Sequence, residues 1–144
     1  MALRTRSVEF SEKLLRMYPK LFKQNEYEGI PIMPYIDGWF NLIENLCDDL
    51  VKEIGNLPFK TQEEFSVSEI KSKFRKLKFR LYGPITPWME ELVNTAEDRS
   101  QSICQFCGEP GKPKEKGRWL IICPVHDKYY PDIEDSLRES AKNK

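Results

Sequence analysis

The placement of three cysteines and the only histidine constrains this chain more than any other feature of its sequence. Cys104 and Cys107 form a C-x2-C pair, fifteen residues intervene, and Cys123 and His126 form a C-x2-H pair. A two-residue gap lets one tight turn aim two donors at a common centre. Gly108 follows the first pair and Pro124 stands inside the second, so both pairs sit in turn-forming surroundings. The intervening GEPGKPKEKGRWLII is long enough for a hairpin that closes the two halves, with Trp119, Leu120, Ile121 and Ile122 as its returning strand. Thiolate sulfur and imidazole nitrogen suit zinc, and four protein ligands complete a tetrahedron with no position left for water or substrate. The pattern predicts one structural Zn2+ held by Cys104, Cys107, Cys123 and His126, in a ribbon spanning residues 104–130. A catalytic zinc of the deaminase kind needs an open fourth position and an H-x-E arrangement, whereas Asp127 and Lys128 follow His126. Redox chemistry at Cys104 and Cys107 would leave the matching second pair unexplained.

A small ribbon cannot bury enough surface to fold unaided, so the rest of the chain must supply the main core. With 144 residues, 40 % of them hydrophobic, one α+β domain over residues 1–103 is expected, followed by the ribbon and a polar, frayed tail over 131–144. The 23 basic residues cancel the 23 acidic ones, so attraction to a polyanion must come from a local patch. No stretch approaches the ~18 apolar residues of a membrane helix, and MALRTRSVEF lacks the apolar stretch of a secretory signal. A soluble, intracellular protein with no membrane partner is the expectation.

Periodicity sketches the core. Phe10, Leu14, Met17 and Tyr18 form a helical stripe that Pro19 interrupts, and Leu21 and Phe22 complete its face. Residues 23–37 carry Gly29, Pro31 and Pro34 and read as a long irregular loop, a candidate functional surface whose Tyr27, Ile30, Ile32, Met33 and Tyr35 could equally pack over the core. Asp37 is placed to cap a helix whose apolar positions run from Trp39 to Ile54 before Gly55. Cys47 lies on that buried stripe and reads as a packed small hydrophobe. Ser66 and Glu69 resemble a capping box, with Phe65 and Ile70 as a staple, and predict a helix from Val67 through Phe74. Alternation then predicts a strand over 76–82, and Thr86 and Pro87 start a third long helix that carries Met89, Leu92, Val93, Ala96 and Ile103 inward. The expected fold is three principal helices against a short antiparallel sheet, with the zinc ribbon at one end.

The strongest local field is KSKFRKLKFR, six cations in ten residues with Phe74 and Phe79 between them. On one strand face, Lys76, Lys78 and Arg80 would stand ~7 Å apart, suited to phosphates, and Tyr82 could stack on a base. Lys73, Lys76, Lys78, Arg80 and Tyr82 are therefore the candidate ligand-binding residues. The alternative is that these charges only guard a sheet edge. Lys112, Lys114, Lys116 and Arg118 could extend the same track.

Taken together, DGWFNLIENLC, IKSKFRKLKFRLY, AEDRS, CQFCGEPG and GRWLIICPVH resemble a group of small, mostly uncharacterised phage and prophage zinc-containing proteins. The resemblance covers roughly residues 36–127 and rests on Gly38, Trp39, Lys73, Phe74, Leu77, Phe79, Tyr82, Glu97 and the four metal ligands; Arg75, Lys76 and Lys78 depart from it. It implies a zinc site, the cytoplasm of a bacterial host, and an accessory role in host takeover or counter-defence. No phosphate loop or G-x-S-x-G occurs, and the one histidine is committed to metal, so an enzyme is not expected, although Glu26, Glu28 and Asp37 flank the irregular loop. The expected function is a non-enzymatic module binding a phosphate-bearing partner, nucleic acid foremost. The alternative is an inhibitor or sponge that sequesters a nucleotide signal or docks on a host protein.

Overall fold

A computed structural model describes residues 4–23, 32–114, 118 and 120–142. Helix α1 (Ser7–Met17) buries Phe10 and Leu14, and the chain beyond it buries Tyr18, Leu21 and Phe22. Met17, expected on the same stripe, points outward instead. A 3-10 turn (Asp37–Trp39) leads into α2 (Phe40–Gly55), which buries Leu42, Ile43, Leu46, Cys47, Leu50 and Ile54. Burial, with Asp48 and Glu44 nearby, pushes the Cys47 thiol far above its ordinary range, in keeping with a packed and unreactive side chain. A single turn, α3 (Phe59–Gln62), follows.

Residues 66–72 form strand β1 (Ser66–Ser72), which corrects the expected helix. It pairs antiparallel with β2 (Leu77–Tyr82), and a bulge falls between Val67 and Glu69. The bulge inserts one extra residue into an alternating strand, so Val67 and Ile70 both face inward at a separation of three. That separation is what a helix also produces, and it gives Ser66 and Glu69 the appearance of a capping box. On β2 the alternation holds: Leu77, Phe79 and Leu81 are buried, while Arg80 and Tyr82 are exposed.

Helix α4 (Pro87–Ser100) starts at Thr86, whose hydroxyl accepts the Met89 N–H at 3.2 Å. It lies along the free edge of β2, where Glu97 Oε2 accepts the Phe79 N–H at 3.0 Å and Ser100 Oγ accepts the Leu77 N–H at 2.8 Å. The other edge is covered too: the Leu21 carbonyl accepts the Val67 N–H, and Met33 N–H donates to the Ile70 carbonyl. Neither edge is left as a template for another chain. Of the irregular loop, Ile32 packs against the core and Tyr35 against the C-terminal cluster, while Glu26, Tyr27, Glu28 and Ile30 lie outside the described residues.

The C-terminal part contains a minimal ladder of β3 (Lys112–Pro113) and β4 (Ile121–Ile122), then α5 (Pro124–Lys128) and α6 (Tyr130–Lys142). Trp119 and Lys116 lie outside the described residues. Helix α6 overturns the expected frayed tail, because Ile133 and Leu137 are buried against Leu120 and Ile122. Glu134 anchors it, accepting from the Tyr130 hydroxyl at 2.6 Å and from Arg118 Nε at 2.9 Å. Those donors hold the Glu134 carboxyl below the usual carboxylate range. The chain is thus α+β, and among the described residues no helix is long and apolar enough to cross a membrane.

Candidate functional site

Two turns bring the four metal-ligand candidates together. In the first, the Cys104 carbonyl accepts the Gly108 N–H at 2.9 Å and Cys104 N–H donates to the Glu109 carbonyl at 2.7 Å, with Gly108 at φ +83°. A side chain there would be strained, so glycine is the residue the turn requires. In the second, Cys123 caps α5, and its sulfur accepts the His126 N–H at 3.4 Å. Cys123 Sγ stands 3.2 Å and Cys104 Sγ 3.7 Å from His126 Nδ1, and Cys107 Sγ is 3.7 Å from Cys123 Sγ. All four donor atoms lie within 4.8 Å of one another and could bind a metal ion. Burial acts against ionisation at Cys123, but the His126 N–H and imidazole outweigh it and bring that thiol down to about 7. At Cys107 burial wins over a Glu109 N–H and, with Cys104 alongside, pushes the thiol up to about 12. The donors are therefore gathered in a shape whose thiols repel simultaneous ionisation until a cation joins them.

The surroundings of this cluster are built as carefully as the turns. Gly38 lies flat on the first one: a Cβ on Gly38 would run into the Cys104 carbonyl oxygen and the Gly108 nitrogen, and would stand 2.9 Å from the Cys107 nitrogen. Gly38 N–H donates to the Gln105 carbonyl at 2.8 Å, and Trp39 Nε1 donates to the Ile103 carbonyl at 2.9 Å. Gln105, 1 % exposed, accepts the Ile121 N–H on its side-chain oxygen at 3.0 Å. Sequence reasoning reached Trp39 as an apolar helix position and Gly38 only through the resemblance, and it missed Gln105, whose polar side chain gives no periodic signal. Asp37 does not cap α2 as expected. Its carboxylate turns back to the start of α1 and accepts from the Thr5 hydroxyl and the Arg6 N–H, each at 2.7 Å.

The basic segment forms the outer face and tip of the β1–β2 hairpin. In register, Glu69 stands opposite Arg80 and Lys71 opposite Lys78, with Tyr82 opposite Ser66. Glu69 pairs with Lys71 at 3.0 Å and with Arg80 at 3.6 Å, and Lys71 first, then Arg80, holds its carboxyl below the ordinary range. Lys78, Arg80 and Tyr82 share the outer face as expected, but Lys76 turns to α4 and pairs with Asp98 at 3.0 Å. At the tip, Lys73 N–H donates to the Lys76 carbonyl, and Phe74 and Arg75 both take positive φ, 54° and 59°. Phe74 is 62 % exposed, with Lys73 Nζ 5.2 Å from its ring centroid.

Of the second cationic cluster, Lys114 and Arg118 are engaged within the C-terminal part, Lys112 is exposed, and Lys116 lies outside the described residues. Lys114 pairs with Asp127 at 2.5 Å and lies over the Tyr130 ring, while Arg118 holds Glu134. Comparison with protein-family models, with curated proteins and with solved structures finds no match to this chain.

Proposed function

We propose that this protein is a non-enzymatic, zinc-stabilised binding module that holds a phosphate-bearing partner, nucleic acid, on the outer face of the β1–β2 hairpin. The observation that carries the reading is Lys71 directly opposite Lys78 on that face, with Arg80 beside them and Lys73 at the tip. Like charges in register cost a sheet stability. Phe74 and Arg75 add a second cost, since residues other than glycine are disfavoured at positive φ. The inner face and both edges are satisfied by other groups, and Glu69, paired with Lys71 and Arg80, is a single carboxylate among the cations of this face. Local rules are broken most often where a site serves function. Phosphates laid along the face would relieve the repulsion and release their counterions.

Zinc is the ion that three thiolates and one imidazole nitrogen favour. Bound there, it would supply a tetrahedral crosslink with no open coordination position. Cys104 and Cys107 hold one side from the first turn, Cys123 and His126 hold the other, and the Glu109 and His126 N–H groups steady the sulfur charge. The resemblance to phage and prophage proteins supports an accessory role in a bacterial cytoplasm. Two measurements test the reading. Elemental analysis of the purified chain should give one zinc per molecule. Anisotropy with a labelled oligonucleotide should give a log–log salt slope of about −3, as about four phosphate contacts require, and the paired change Lys78→Glu with Arg80→Glu should abolish binding. Binding that ignores added salt, or that survives both reversals, removes the proposal.

A further inference from the structure

The hairpin face carries aromatic as well as basic groups, and the exposed rings bear on what form of nucleic acid it takes. Val67, Ile70, Leu77, Phe79 and Leu81 bury the inner face in the core, and α4 and residues 32–33 cover the edges. A two-stranded ribbon that lies in the major groove of a duplex reads base edges with polar side chains. This one offers a single outer face and a short tip, so it meets its partner as a platform. On that platform Tyr82 is 53 % exposed, at the end of the strand that also presents Lys78 and Arg80. Successive outward residues of a strand stand ~7 Å apart, so the phenol ring and the two cations form one line along β2. Phe74 projects at the tip. Rings set beside phosphate-binding cations act on bases whose flat faces are accessible, and a duplex hides those faces in its own stack.

Resting on the reading that the outer face binds phosphates, we infer that its partner is single-stranded nucleic acid, with a base stacked on Tyr82 and the adjoining backbone phosphates against Arg80 and Lys78. Tyr82 is the specificity-determining residue for strand form, and the lysines and arginine supply affinity without regard to it. The contact is to the π-face of a base, so it is tolerant of sequence and is open to both DNA and RNA.

The test uses the full, zinc-loaded chain and labelled oligo(dT), oligo(U) and a DNA duplex at low salt, followed by fluorescence anisotropy. The single strands should bind about tenfold more tightly than the duplex, and Tyr82→Leu, which keeps bulk but removes the ring, should lose about tenfold on single strands and little on the duplex. Tyr82→Phe should bind as the native protein does. Oligo(dT) and oligo(U) should bind comparably, as stacking on a base face requires. Equal or tighter binding to the duplex, or a Tyr82→Leu protein with native single-strand affinity, overturns this inference and leaves the basic face intact as a phosphate site. Failure to bind any of the three overturns the inference together with the reading it rests on.

Discussion

Among the described residues, two antiparallel strand pairs are held by opposite means. The hairpin of β1 and β2 rests on a broad apolar face, with Ile70 and Leu77 fully buried and both edges hydrogen-bonded. The β3–β4 pair is only two residues long, and the cluster beside it contains four buried side chains, Leu120, Ile122, Ile133 and Leu137. What it lacks in core is matched by converging donors, and Lys114 and Arg118 are paired with Asp127 of α5 and Glu134 of α6. The lesson is that a hairpin supported from beneath can leave its outer surface to a partner, whereas one packed on its own tail around converging Cys and His donors turns those side chains toward itself.

The largest effect that would break this contrast concerns the metal. A structural zinc in a small module contributes on the order of 10 kcal/mol to folding. Chelation, or Cys104→Ser, should therefore abolish hydrogen-exchange protection across residues 120–142 while the amides of β1 and β2 keep theirs. Equal protection before and after chelation would mean that the C-terminal hairpin stands on its own core. Next comes the wall behind the metal turn: Gly38→Ala should cost about 3 kcal/mol, since backbone and not a flexible side chain must yield to the new methyl group. A denaturation midpoint equal to that of the native chain would refute that packing. The smallest effect sharpens the other side of the comparison. Replacing the tip by Phe74→Asn with Arg75→Gly, the pair that a two-residue turn with positive φ favours, should stabilise the hairpin by about 1 kcal/mol. If thermal unfolding instead moves downward, the tip is not strained.

These regions also differ in how far the sequence reveals them. The Cys104, Cys107, Cys123 and His126 cluster was legible because donor spacing is local, and α2, α4 and β2 because each repeats its apolar period without interruption. Thr86 was legible as a cap for the same reason, its partner being three residues away. β1 was not, since a bulge at Ser68 converts a period of two into the separation of three that helices share. The C-terminal helix was hidden by its sparse face: Ile133 and Leu137 alone look insufficient, and the surface they cover, Leu120 and Ile122, belongs to the metal hairpin. Asp37 misled because a carboxylate before a helix has a ready local use, and its actual partners, Thr5 and Arg6, lie more than thirty positions upstream.

That same turn at Asp37–Trp39 has a practical consequence for anyone who would dissect the chain. Asp37 fastens the start of the first helix, Gly38 is the floor under the metal loop, and Trp39 fills the interior. Three successive residues thus serve as a common hub for the beginning, the middle and the end of the polypeptide. Trimming from either end removes a spoke from that hub, and the metal hairpin excised by itself would be a loop without its backing plate.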